Sequence, residues 1–386
     1  MQKAPLFALT VSLYVLMFAY AFSVTMIGPL IPIFMDAYHV SLSRSGLVPL
    51  FQGLGGAITV FMGIAFVDKM RRSVLITVAF GTYCAATLLM AIAPPYLLLL
   101  VLFCFVGGGT RLLDAVLNAY VSDLHPEKRG FAVTLLHACF GVGALLGPLF
   151  ATVFVNAKVR WPYVFLALGS FCVVMLIVYT LVQRKMPAAK PRAHSSGIKN
   201  IASLLKNRHI VWLSFMALFY VAFALSISTW MPSYMTRRLH TSAVLASLPV
   251  SAMWIGIICG RLVYSFLSLK HPVKYLLLFS SIAAGVVMIA TVIINAPVAY
   301  AGGLCIAGFL VGATMPLSIA QGNTMVAGYS GAVSSLLTFA GVIGLLFFPW
   351  LIGVIADASG FWYGIALVAL FPSAIAVFSS FLPKPG

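Results

Sequence analysis

Apolar runs of about 20 residues follow one another along the whole of this 386-residue chain, and that repetition leaves few folds open. A run of that length crosses the hydrocarbon core of a bilayer as a helix. Only helices and closed barrels satisfy their backbone polar groups there. Barrel strands alternate in hydrophobicity, and these runs do not. Twelve candidate spans fall at 6–34, 45–67, 74–92, 96–122, 131–155, 162–182, 210–234, 243–267, 273–294, 298–320, 328–355 and 362–381. Hydrophobic residues make up 62% of the chain and charged residues 8%, too few charges to clothe a soluble domain of this size. The expected fold class is an all-α membrane protein with twelve transmembrane helices.

The net charge of +17 has two readings, nucleic acid or topology, and the distribution of the charge favours topology. With the N-terminus inside, alternate loops divide the 23 Lys and Arg so that sixteen lie in cytoplasmic segments and five outside. The outside five are Arg44, Lys158, Arg160, Arg237 and Arg238. This bias predicts a cell (inner) membrane protein with both termini cytoplasmic. Its expected partners are lipid and a small-molecule solute, with no nucleic acid. The longest loop carries Pro, Lys and Ser and divides the chain into an N-terminal six-helix bundle (1–183), a cytoplasmic linker (184–209) and a C-terminal six-helix bundle (210–386). The first apolar run is too long for a signal-peptide core and leads into Gly-Pro rather than a cleavage site. The six cysteines all lie in apolar spans without metal-ligand spacing, so neither a metal nor a cofactor is expected. No nucleophile–base constellation points to an enzyme.

The halves resemble each other at an offset of about 200 residues. Tyr20 matches Tyr220, Pro32 matches Pro232, Gly56 matches Gly256, and Ala132-Val133 recurs as Ala332-Val333. Pro148 recurs as Pro349 with one inserted residue. Matches in register across several spans indicate two six-helix repeats, an architecture that transporters use with the solute site near midplane. A monomer suffices for it.

Five of the six acidic residues sit at span ends or in loops, and the sixth, Asp114, lies deep inside a span. An ionisable group at membrane depth is costly and marks a functional path by default. Arg111 lies one helical turn before it and Asn118 one turn after it, on the same face. Two readings of Asp114 stand: a proton carrier, tuned by desolvation, or a fixed ion pair with Arg111. Arg111 has three readings: it pairs with Asp114, binds an anionic solute through its fork, or packs between helices. His137 is a further candidate for a proton path, or bonds to a neighbouring helix. Asn118, Gln52, Gln321 and Asn323 suit solute hydroxyls or interhelical bonds. Tyr20, Tyr220, Trp230 and Trp254 suit stacking on a sugar ring or ordinary membrane packing. Arg261 is assigned to gating across the two halves, or snorkels to the cytoplasmic surface.

In the turn after the second span, Gly63-x4-Asp68-Lys69-Met70-Arg71-Arg72 resembles the loop signature of the major facilitator superfamily, an acid followed by a basic run. The resemblance implies that Asp68, Arg71 and Arg72 form a gating charge clamp between helices that slide. A narrower stretch, Leu113-Asp114-Ala115-Val116-Leu117-Asn118, is similar to the fucose–proton symporter family. So are the segments 136–148 and 230–234. That likeness implies the major facilitator fold and proton-coupled symport of a sugar-like solute by alternating access. Gly28 and Ala224 stand where its sugar symporters carry further acids, so the coupling is expected to rest on Asp114. Alternative functions from the residues alone are transport of an organic anion or siderophore, motivated by Arg111 and Arg261, and drug efflux.

Overall fold

The computed structural model describes residues 3–66, 70–125, 127, 129–185, 204–326 and 330–383, and among these every regular element is a helix. Eleven stretches are long and apolar enough to cross a membrane. The 20-residue helix Leu47–Phe66 coincides with the expected span at 45–67. Large apolar side chains such as Phe7 (72% exposed), Ile293 (73%) and Val298 (84%) lie open on the helix exteriors. Apolar exposure on this scale fits a lipid solvent rather than water.

The chain divides into two compact units. The first comprises Met1–Met26 with Phe51–Ser195. It holds α1 (Lys3–Thr25), most of α4 (Leu47–Phe66), α5 (Arg72–Met90), α6 (Tyr96–Leu124), α7 (Arg129–Asn156) and α8 (Pro162–Gln183). Here α1 packs on α7 and α8, and α5 on α6 and α8. Contact between α4 and α6 is backbone to backbone: a Cβ added at Gly55 would land on the Cys104 carbonyl, and one at Gly107 on the Gln52 carbonyl. Glycine permits this approach because it has no side chain to hold the helices apart.

The second unit comprises Ile27–Leu50 with Ser196–Gly386. It holds α2 (Ile27–Tyr38), α3 (Leu42–Ser45), α9 (Arg208–Arg237), α10 (Ala243–Leu267), α11 (Val273–Ile294), α12 (Pro297–Val311), α13 (Thr314–Met325), α14 (Ser330–Ser359) and α15 (Phe361–Ser380). The pairing pattern of the first unit recurs: α9 packs on α14 and α15, and α11 on α12 and α15. Close glycine contacts recur as well, since a Cβ at Gly256 would meet the Cys305 carbonyl and one at Gly308 the Met253 carbonyl. These contacts match Gly55–Cys104 and Gly107–Gln52 at an offset of 201. They correct the sequence pairing in one detail: the partner of Gly256 is Gly55, not Gly56. Gly56 instead makes room for the Arg111 side chain, with a Cβ there 2.8 Å from Arg111 Cγ.

Two expected spans are broken, and prolines explain both. The first divides at Met26 between α1 and α2. Pro29 has no N–H for the Thr25 carbonyl four residues earlier, and Pro32 none for that of Gly28. The α2 segment packs with α9 in the second unit, where Gly28 lies against the Ser228 carbonyl. The tenth span divides at Gly312–Ala313 between α12 and α13. There Pro316 leaves the Gly312 carbonyl without its helical donor.

Asp357, near the end of α14, caps the four-residue helix α3. Its Oδ1 accepts from the Leu42 N–H at 3.1 Å and its Oδ2 from the Ser43 N–H at 2.7 Å. Arg237 adds a second tie, donating to Asp36 Oδ1 at 2.6 Å and to the Pro32 carbonyl at 3.1 Å. Losing a helix cap costs about 1 kcal/mol. Asp357→Ala is therefore expected to lower the thermal stability of detergent-purified protein by about that amount. An unchanged melting curve would show that the cap carries no weight.

The inter-repeat linker expected over 184–209 lies largely outside the described residues.

Candidate functional site

The spacing of Arg111, Asp114 and Asn118 on α6 places all three on one helical face, and their side chains meet. Asn118 Nδ2 donates to Asp114 Oδ1 at 2.9 Å and to the Asp114 backbone carbonyl at 2.8 Å. The bond to Oδ1 orients the carboxylate and leaves Oδ2 towards Arg111, whose Nη1 is 3.8 Å away. That distance is a charge contact but too long for a hydrogen bond. The Arg111 and Asp114 side chains are 15% and 20% exposed, so both sit mostly inside the bundle. Among the described residues no group accepts a hydrogen bond from the Arg111 guanidinium.

Groups from α1 and α4 lie beside the pair. Tyr20 on α1 is buried, packs edge-on against Phe140 at 5.3 Å, and lies within electrostatic reach of both Arg111 and Asp114. Gln52 on α4 is 4% exposed, one turn from the Gly56 that accommodates Arg111, and its amide has no partner among the described residues. His137 sits half-buried on α7.

The remaining sequence candidates fall in the second unit or in loops. Arg261 on α10 differs from Arg111 in donating two hydrogen bonds within the protein. Its Nε donates to the Gly312 carbonyl at 3.2 Å, the acceptor that Pro316 left open, and its Nη2 donates to the Tyr220 hydroxyl at 2.9 Å. A cation at the C-terminal end of α12 is also favoured by the helix dipole. Its bonds lie within the second unit, where it pins the break in the tenth span. Removing a charged donor from such bonds costs about 1.5–3 kcal/mol. Arg261→Ala is thus expected to lose about 2 kcal/mol of thermal stability, with only part restored by Arg261→Lys, which lacks the planar fork. Equal stability of Lys and Arg at this position would contradict the forked clamp.

Trp230 is 0% exposed and its indole N–H donates to the Pro349 carbonyl at 2.7 Å, with its ring edge-on to Phe361. Tyr220 is buried, and its hydroxyl oxygen is the Arg261 acceptor. On α13, Gln321 and Asn323 are half-buried, and Asn323 Oδ1 is sealed from solvent without a donor. Arg71 and Arg72 lie at the start of α5, with Arg71 exposed at its N-cap. Asp68, the acid of the expected clamp, lies outside the described residues. Sequence reasoning missed the Trp254 indole donating to Ser228 Oγ at 3.2 Å and the 2.9 Å contact between Thr10 Oγ1 and His125 Nε2. Serine and threonine in an apolar helix carry no signal of their own, because they bond back to their own backbone as readily as to a neighbour.

Comparison with known proteins decides the family. The model of the Major Facilitator Superfamily matches residues 13–349. The chain belongs to the Major Facilitator Superfamily. It is similar to the glucose/mannose transporter of Bacillus subtilis (strain 168), with 22% identity over 88% of this chain and 87% of the relative. It is also similar to a hexuronate transporter of the same organism, with 23% identity over 90% of this chain and 87% of the relative. Among solved structures, a D-xylose–proton symporter superposes with a TM-score of 0.79 at 14% identity, over 98% of this chain and 97% of that one. The chain is thus a multi-pass major facilitator transporter with sugar-transporting relatives.

Proposed function

We propose that this protein is a secondary active transporter, coupled to protons at Asp114, that moves a small sugar-like solute across the cytoplasmic membrane by alternating access. The observation that carries the reading is the carboxylate of Asp114. It lies inside a membrane span, is oriented by Asn118 and is held from Arg111 at 3.8 Å. A carboxylate fixed for structure alone would be expected to hydrogen-bond its arginine in a fork. This one is in charge contact with Arg111 without that bond. Support for a sugar-like solute comes from the glucose/mannose and hexuronate relatives, and support for the proton from the xylose–proton symporter fold and the resemblance of 113–118 to fucose–proton symporters.

In this reading Arg111, Asn118, Gln52 and Tyr20 contact the solute. His137 assists the proton path, while Asp68, Arg71 and Arg72 clamp the cytoplasmic ends and Arg261 holds the break in the tenth span. Both termini are cytoplasmic, and a monomer is the working unit. Thermal stabilisation of the purified protein by a panel of neutral sugars, sugar acids, siderophores and amphipathic drugs tests the solute class, because a ligand of the folded state raises stability with occupancy. Stabilisation by sugars or sugar acids supports the reading. Stabilisation by drugs alone would replace it with efflux.

A further inference from the structure

The two intramembrane arginines present opposite pictures. Arg261 spends its donors on a carbonyl and a phenol inside the protein. The Arg111 side chain is 15% exposed, and none of its donors is hydrogen-bonded among the described residues. A guanidinium carries five N–H donors in a rigid planar fork, and at 15% side-chain exposure this one remains open to an incoming acceptor. The natural acceptor for such a fork is a planar carboxylate, which takes two parallel bonds. Asp114 is not that acceptor. Asn118 grips its Oδ1, and its Oδ2 stays 3.8 Å from Arg111 Nη1. Gly56 lets the Arg111 stem pack close, since a Cβ there would lie 2.8 Å from Arg111 Cγ.

We infer that the solute is a sugar acid whose carboxylate binds the Arg111 fork, and that each solute anion is carried with one proton on Asp114, so that transport moves no net charge. This rests on the proposed sugar-like transport and specifies the solute class of the same site.

The charge balance forces the stoichiometry. The empty site holds one cation and one anion and is neutral. A bound carboxylate brings it to a net charge of −1 in a low-dielectric place, where an uncompensated charge is expensive. The new anion repels Asp114 and draws Arg111 away from it, and both effects favour a proton on Asp114. Arg111 then pairs with the solute, Asp114 is neutral, and the loaded site is neutral again. On the far side the proton leaves Asp114 Oδ2, the restored carboxylate attracts Arg111, and the solute anion is released. One negative and one positive charge cross together. A neutral sugar bound in the same place would leave Arg111 without its acceptor, and its symport with a proton would carry one positive charge inward.

The test uses the whole protein in proteoliposomes with D-glucuronate and D-glucose as probes, under an imposed pH gradient or an imposed potassium–valinomycin potential. Glucuronate is expected to accumulate about tenfold per pH unit of gradient and to ignore the potential. Arg111→Gln, checked for unchanged thermal stability, is expected to lose glucuronate uptake. The wild-type response to potential decides the matter even where that variant fails to fold. Glucuronate uptake driven by the potential would overturn the inference, as would accumulation of glucose with glucuronate excluded; either result leaves the sugar-transport reading standing. Accumulation of neither probe would remove the inference together with that reading.

Discussion

Replacing Asp114 by Asn leaves a carrier that exchanges solute across the membrane but no longer concentrates it. Asparagine keeps the size of the carboxylate, and its carbonyl oxygen still accepts the bond that Asn118 Nδ2 makes to Asp114 Oδ1 at 2.9 Å. Local packing on α6 is therefore expected to survive. What is lost is the carboxylate that lies deepest inside a span by sequence, hence the group proposed to load a proton on one side and release it on the other. A gradient of one pH unit supports about a tenfold accumulation for one coupled proton, and the variant is expected to fall to a ratio of about one. Counterflow, in which labelled solute exchanges for unlabelled solute without net proton movement, is expected to persist. Accumulation equal to that of the wild type would show Asp114 to be a structural partner of Arg111. Loss of counterflow as well would show that it is required for binding rather than coupling.

The second large effect concerns how the bundles are held. A Cβ at Gly107 would coincide with the Gln52 carbonyl, and one at Gly308 with the Met253 carbonyl. Both obstacles are helix backbone and cannot rotate aside. Gly107→Val and Gly308→Val must each push two helices apart, and overpacking of this kind costs about 1–3 kcal/mol or more. Both variants are expected to yield little folded protein, read as loss of the monodisperse peak in detergent. Gly302 supplies the control: a Cβ there meets nothing within 4 Å. Gly302→Ala is expected to be neutral or to gain up to about 1 kcal/mol from helix propensity. Equal tolerance at the three positions would show that close backbone approach does not determine the assembly.

Much of the fold was legible because the bilayer narrows the choices. Once a chain of apolar runs is placed in lipid, backbone hydrogen bonding dictates helices, and periodic Gly and Pro matches reveal the repeat. The break at Gly312 was legible in principle from Pro316, since the ring removes the donor that Gly312 needs. Its repair by Arg261 was not, because that bond joins residues far apart in sequence. The register error at Gly56 has a similar cause: identity of residue type suggested the pairing, whereas the contacts of Gly55 and Gly256 with Cys104 and Cys305 determine it. At the site, the i, i+3 and i+4 spacing on α6 gave the Arg111–Asp114–Asn118 cluster directly. The bond from the Trp230 indole to the Pro349 carbonyl was not legible, because an aromatic ring in a span carries no mark of its partner. The packing of Ile27–Leu50 with the second unit also left no local trace, since an apolar helix carries no mark of the neighbour it chooses.

The most direct measurement is the proton flux that accompanies solute entry. Proteoliposomes holding a pH-sensitive dye, with no initial pH gradient or potential, are given an inward gradient of glucuronate or glucose. Coupling at Asp114 requires the lumen to acidify as solute enters, in proportion to uptake and with a ratio near one proton per solute, and requires Asp114→Asn to abolish the acidification. Solute entry with no change in luminal pH, or acidification that survives in Asp114→Asn, would contradict it.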